Sequence, residues 1–194
     1  MRSSRSKLAT AAAAALLAAA ALTLPGVVAG TSAQASTTCS RAYLPLPDPA
    51  CQPGAYNPDV TQSTIGKTIC VSGWTSTVRP PTSYTDPLKV QQIGEYGYSD
   101  TSTSDYEEDH LVPLELGGAP RDPANLWPEP HAAYDGFTSS DKDRLENKLK
   151  SEVCAGTLTL STARGEIATD WTAAYCDTYP SDCTSTATGR RRAG

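Results

Sequence analysis

The sequence predicts a small α+β domain stapled by disulfides, and three observations carry that prediction. Six cysteines, an even number, all lie beyond an N-terminal stretch with the form of an export signal. A short apolar run from Leu111 to Leu116 follows Asp109-His110, reads as a strand and ends at Gly117-Gly118. Two later segments have helical spacing, with Leu145, Leu149 and Val153 four apart, and Ile167, Trp171 and Tyr175 likewise.

In chain order, Arg2, Arg5 and Lys7 precede a small, apolar run from Leu8 to Leu24 that Pro25-Gly26 breaks, and Ala33-Gln34-Ala35 offers a small-residue cleavage site. Residues 1–35 are therefore expected to be a secretory signal and the mature protein to be secreted. Alanine richness, the early break and the cleavage site argue against a membrane anchor. The remaining 159 residues suffice for one domain. Within it, 36–105 should be an irregular and helical part, 106–180 the strand-bearing core with the last helix, and 181–194 a flexible basic tail ending in Arg190-Arg191-Arg192.

Cys39, Cys51, Cys70, Cys154, Cys176 and Cys183 suggest three disulfides in an exported chain. None forms a C-x-x-C pair, which disfavours a zinc ribbon. Six cysteines allow 15 pairings, and proximity in sequence points to Cys51 with Cys70 and Cys176 with Cys183.

Residues 36–57, with Pro45, Pro47, Pro49 and Pro53, should be irregular. A short helix is expected over 61–70. The segment 77–84 should be extended by Pro80-Pro81, followed by a helix over 86–96 with Pro87 in its first turn. The Ser/Thr run 99–104 reads as a loop beside the next segment. Further on, Ser140 can cap a helix over 141–154 that Gly156 ends. Its stripe Leu145, Leu149, Val153 is expected to lie against two strands, with Glu146 half of a solvated pair with Lys142 or a group behind a ligand. A last helix over 161–175 should bury Ile167, Trp171 and Tyr175 as core.

The chemistry concentrates around Asp109-His110. Adjacent on a strand, the two side chains point to opposite faces, and they can divide labour. Asp109 is a hard oxygen ligand for a divalent cation, and His110, titrating near neutrality, can take a proton from water without binding metal. Asn125 follows 15 residues after His110, within Asn125-Leu126-Trp127.

Asp-His, an apolar stretch, Gly-Gly, a polar loop and Asn-Leu resemble the HNH, or ββα-metal, nuclease motif. The stretches Val78-Arg79-Pro80-Pro81 and Asn125-Leu126-Trp127-Pro128-Glu129-Pro130 extend the likeness to small exported bacterial proteins of HNH type. The resemblance implies an α+β fold built around a ββα-metal unit, with His110 as general base, Asp109 as ligand of a Mg²⁺-type ion and Asn125 as a brace across the loop between two strands. The third motif position has two candidates, His131, six residues after Asn125, and Asp143, at the start of the expected helix. Mg²⁺ or Mn²⁺ fits such a site, and Ca²⁺ or Zn²⁺ can also be accommodated. The implied activity is hydrolysis of phosphodiester bonds in nucleic acid, DNA in preference to RNA, by a monomer that does not engage membranes.

Charge argues the other way. Three of 16 basic residues and none of 21 acidic ones lie in residues 1–35, leaving 13 against 21, a mature balance of −8. Phosphate binding leans on Lys and Arg displacing counterions, so a local basic surface is required. Arg79, Arg121, Arg144 and Lys148 are the candidates, with Lys89, Lys142 and Lys150 nearby. The competing expectation, from a different class, is a non-catalytic secreted protein whose acidic residues hold Ca²⁺ for structure. No Gly-rich phosphate loop or G-x-S-x-G elbow is present, so nucleotide-binding and serine-hydrolase classes have no anchor.

Overall fold

Two helices and a two-stranded sheet frame the part of the chain that carries Asp109-His110. The computed structural model describes residues 38–183, so the expected signal and the arginines at 190–192 lie outside the described residues. Helix α1 spans Trp74–Val78, α2 Thr82–Glu95, α3 Ser139–Ala155 and α4 Leu160–Thr178, and strands β1 (Tyr106–His110) and β2 (Leu126–Pro130) pair antiparallel. Mixed helix and sheet with three disulfides agrees with the α+β expectation. No helix among the described residues is long and apolar enough to cross a membrane, and three disulfides suit an oxidising compartment.

The apolar run after His110 is not a strand. β1 is the polar segment before it, and residues 111–118 enter the core as a loop with a 3-10 turn at Leu114–Leu116. All of them but Glu115 are buried, whereas a half-buried strand would expose alternate residues. Asn125 supplies what a partner strand would have supplied. Its Oδ1 accepts from the Val112 and Ala55 N–H groups at 2.9 and 3.3 Å, and its Nδ2 donates to the Val112 and Ala119 carbonyls at 3.0 and 3.2 Å. The glycine pair is required where the loop turns back. Gly117 has φ 73°, and a Cβ on Gly118 would stand 1.7 Å from the Val112 carbonyl oxygen.

Helix boundaries shift for identifiable reasons. α2 starts at Thr82, a turn earlier than expected, because extended Pro81 serves as its N-cap (ψ 155°), so Pro87 lies inside the helix. α3 starts at Ser139 with Thr138, not Ser140, as its cap: the Asp141 carboxylate reaches back to the Thr138 N–H at 2.9 Å and hydroxyl at 2.8 Å. Residues 61–70 form turns with one 3-10 segment, Ile65–Lys67, in place of a helix. α4 kinks at Asp170, whose Oδ1 accepts from the Ala173 N–H at 3.0 Å and so acts as a second cap inside the helix.

Leu145, Leu149 and Val153 are buried in one cluster with Val60, Val112, Leu116, Ile167 and Trp171. None of those partners lies on either strand, so the stripe faces α4 and the 111–118 loop instead of the sheet. A second cluster, Ile93, Tyr96, Tyr98, Tyr106 and Trp127, joins the end of α2 to the strands. Lys89 Nζ donates to the Tyr106 carbonyl (3.1 Å) and Gln92 Nε2 to that of Leu126 (2.7 Å), which fixes α2 across β1 and β2.

The disulfides are Cys39–Cys51, Cys70–Cys154 and Cys176–Cys183. The last matches the expectation from proximity. Cys51–Cys70 is overturned: Cys51 closes the Pro-rich segment on Cys39, and Cys70 is carried across the core to the end of α3. Ser181 to Cys183 are not tail but part of a final helical turn, 180–183, held by the Cys176 bond; 184–194 lie outside the described residues.

Candidate active site

β1 alternates by residue, so Glu107 and Asp109 share one face and Glu108 and His110 the other. Antiparallel register sets Glu129 opposite Glu107 and Trp127 opposite Asp109, which brings all four side chains to the same face. Glu107, Asp109 and Glu129 thereby bring one carboxylate oxygen each to within 4.8 Å of one another, an acidic group that could hold a metal ion. Glu107 and Asp109 open into a cavity of about 190 Å³ that His110, Arg79, Asp143 and Glu146 also line.

Lys142 of α3 reaches into this group with a side chain only 1% exposed. Its ammonium lies 2.7 Å from Asp109 Oδ2, donates to the His110 carbonyl at 3.0 Å and pairs with Glu146. Trp127 Nε1–H donates to the same Asp109 oxygen at 3.1 Å. The Lys142–Glu146 pair is therefore interior, which removes the solvated alternative and leaves Glu146 as the group behind the ligand candidate Asp109. Burial pulls the Lys142 pKa down, but Asp109, Glu146 and Glu129 outweigh burial and hold it above the ordinary lysine value.

The carboxyls shift upward. Burial, reinforced by Asp109 and Asp143, pushes Glu107 up to about 7, and burial with Asp109 pushes Glu108 up to about 8. Glu129, 2% exposed, is raised well above the ordinary range by burial and then by Asp109. Crowded, desolvated carboxyls of this kind hold protons at neutral pH unless a cation compensates them.

His110 moves in the opposite direction. Burial lowers its pKa, and nearby Lys142 and Arg79 lower it further, against the opposing effects of the Pro120 carbonyl and Asp109. Nε2 lies 3.1 Å from the Pro120 carbonyl oxygen. A carbonyl only accepts, so Nε2 carries the proton and the neutral ring has its lone pair on Nδ1. The ring is thus neutral, oriented and able to accept a proton at a defined atom.

The two candidates for the third position part company. Asp143 lines the cavity, exposed on α3, with its pKa raised by burial and by Asp109. His131 follows the last residue of β2, is exposed, and its Nδ1 lies 3.2 Å from the Ser139 hydroxyl; it is not among the residues lining the cavity. Asn125, 0% exposed, holds the loop behind His110 and does not line the cavity.

The basic candidates do not converge. Arg79 lines the cavity. Arg121 lies over the Tyr84 ring and is not among the residues lining the cavity. Arg144 stands over Tyr179, 3.7 Å from the ring centroid, and is 2.6 Å from Asp182, while Lys148 pairs with Glu152 at 2.9 Å. Arg144 and Lys148 thus occupy a face of α3 turned from the one that presents Asp143, Glu146 and Asn147 to the cavity.

Glu107 and Glu129 escaped the sequence reading, as did the burial of Lys142 against Asp109. Glu107 had a usable signal, since Glu-x-Asp on a strand puts both carboxylates on one face. Glu129 had none, because its register against Glu107 depends on the loop that joins the strands. No family model matches the chain, and no curated protein and no solved structure matches it, so its role has to be argued from this geometry.

Proposed function

We propose that the cavity is the active site of a secreted, divalent-cation-dependent phosphodiesterase acting on nucleic acid, DNA in preference to RNA. The observation that carries the reading is His110: a neutral, buried imidazole whose Nε2–H is committed to Pro120, so that Nδ1 is the basic atom, beside Asp109 in the same cavity. The likeness of Asp109-His110 and Asn125 to the HNH motif agrees with it.

His110 Nδ1 takes a proton from the water that attacks phosphorus. A phosphorus–oxygen bond forms with that water, the ester bond to the leaving oxygen breaks, and the leaving oxygen keeps the electron pair and is protonated by solvent. Lys142 and Trp127 hold Asp109 in one orientation through their bonds to Oδ2. Asp143 adds a carboxylate at the rim, and Arg79 is the cation placed to meet a phosphate. The donor set is all oxygen, which fits Mg²⁺, Mn²⁺ or Ca²⁺ better than Zn²⁺. Asp109 would hold such an ion, which would supply stabilisation of the charge developing on the phosphate and leaving oxygen.

A second reading has its own observation. Acidic residues outnumber basic ones around the cavity, with Glu107, Asp109, Glu115, Asp143 and Glu146 set against Arg79. That field repels phosphate and suits a non-catalytic protein holding Ca²⁺ for structure. Purified mature protein incubated with linear and supercoiled DNA and with RNA, in Mg²⁺, in Mn²⁺ and in EDTA, separates the two. The hydrolytic reading expects cleavage that EDTA abolishes; intact substrate under every condition, with a Ca²⁺-raised melting temperature, would replace it with the structural one.

A further inference from the structure

We propose that Glu107, Asp109 and Glu129 together form the protein's divalent-cation site, with the buried Glu129 as its inner ligand and Asp143 outside the coordination sphere. The inference shares Asp109 with the hydrolytic reading but stands on binding alone.

The argument begins at Glu129. Its side chain is 2% exposed, and its Oε2 has no hydrogen-bond partner. A buried carboxylate left in this state is costly unless a proton or a cation meets it. Lys142 cannot be that cation. An ammonium has three protons, and those of Lys142 are directed to Asp109 Oδ2, Glu146 and the His110 carbonyl. Four carboxylates, Glu107, Asp109, Glu129 and Glu146, therefore share a single ammonium, and a divalent ion brings the cluster close to neutrality.

Geometry agrees. Asp109 Oδ2 already receives the Lys142 and Trp127 protons, which leaves Oδ1 for an ion. Oxygens on opposite sides of Ca²⁺ lie about 4.6–5.2 Å apart, and of Mg²⁺ about 4.0–4.2 Å; the three carboxylates stand within 4.8 Å, a span that receives a hard divalent ion with little movement. Asp143 is not in that group. The site is reached from the cavity past Glu107 and Asp109, so water or a phosphate oxygen can complete the coordination.

Trp127 provides a reporter. Terbium(III), an oxygen-seeking stand-in for Ca²⁺, emits when a nearby indole is excited, and the indole of Trp127 bonds directly to Asp109. Mature, disulfide-intact protein should give terbium emission that Ca²⁺ or Mn²⁺ displaces and that Trp127→Phe removes. Calorimetric titration with Mn²⁺ should give one site. Loss even of a group behind a ligand costs roughly 10–100-fold in metal affinity, so Glu129→Gln, Glu107→Gln and Asp109→Asn should each weaken Mn²⁺ at least about tenfold, and Asp143→Asn less than about threefold. If Glu129→Gln fails to fold, Glu107→Gln at the open end of the group decides alone. Unchanged affinity in the Glu107 and Glu129 variants together with loss in Asp143→Asn would overturn the site and move the ion to the cavity rim. Absence of Mn²⁺ and terbium binding in wild type would also overturn it, leaving Glu107 and Glu129 as a proton-sharing pair. Binding as expected without cleavage of any nucleic acid would keep the site and remove only the hydrolytic reading.

Discussion

At the scale of single residues, His110 separates chemistry from binding. His110→Gln preserves polarity and much of the volume of a ring that is 5% exposed and removes the base. Cleavage should fall about 10²–10⁴-fold while Mn²⁺ affinity stays within about twofold, and single-turnover kinetics beside calorimetry check both. Because burial lowers the His110 pKa, the acid limb of the wild-type pH–rate profile should lie below the ordinary histidine value of about 6.5; a limb above it would exclude His110 as the base. The sequence put Asp109 and His110 forward as candidates because a hard oxygen ligand and a base titrating near neutrality stand side by side, and both line the cavity. Lys142 was not legible: an i,i+4 Lys–Glu pair on a helix is ordinarily solvated, and only the approach of α3 to Asp109 buries this one.

At the scale of elements, α3 presents three faces with different work. Leu145, Leu149 and Val153 pack on α4 and the 111–118 loop; Asp143, Glu146 and Asn147 meet the cavity; Arg144 and Lys148 face Tyr179 and the final turn. Charge reversal should separate the last two. Arg144→Glu with Lys148→Glu should leave cleavage within about twofold of wild type and change the melting temperature little, since both pairs are exposed and screened by solvent. Arg79→Glu should raise KM most at low salt, with the gap to wild type narrowing as salt is added, since the lost phosphate contact and the new repulsion are both screened. A double reversal that hurts more than Arg79→Glu would return the nucleic-acid surface to α3. The helical stripe was visible from its period, but the partner of that stripe was not, because a run of Leu and Val is equally apolar toward a strand, a loop or another helix.

At the scale of the whole molecule, covalent closure and buried charge set stability. Cys70–Cys154 closes a separation of 84 residues and Cys176–Cys183 one of 7. Chain entropy makes these worth about 4–5 and 2–3 kcal/mol. Replacing Cys70 and Cys154 by Ser should therefore lower the denaturation free energy more than replacing Cys176 and Cys183, and equal losses in urea titrations would contradict the entropic account. In chelator, stability should also fall as pH rises. Folded Glu107 and Glu108 keep protons up to about 7 and about 8, whereas the unfolded chain releases them near pH 4.3. The unfolded state then binds fewer protons across that interval, so stability is greatest below it and is lost as pH climbs, by up to about 1.4 kcal/mol per retained proton per pH unit. Melting temperatures from pH 5 to 8.5 check this, and a flat or rising profile would refute it.

The sequence by itself determined the local features: six cysteines suited to pairing, the two long helices, the Asp109-His110 dipeptide and the Asn125 that follows it. These depend on residue type, period and short spacing, and neighbours along the chain suffice to specify them. Tertiary structure alone decided that the apolar run is a buried loop satisfied by Asn125, that Cys70 pairs with Cys154, and that Glu129 and Lys142 join Asp109 in one desolvated cluster. Each of those facts joins segments separated by at least 13 residues, and such contacts depend on how the elements pack against one another.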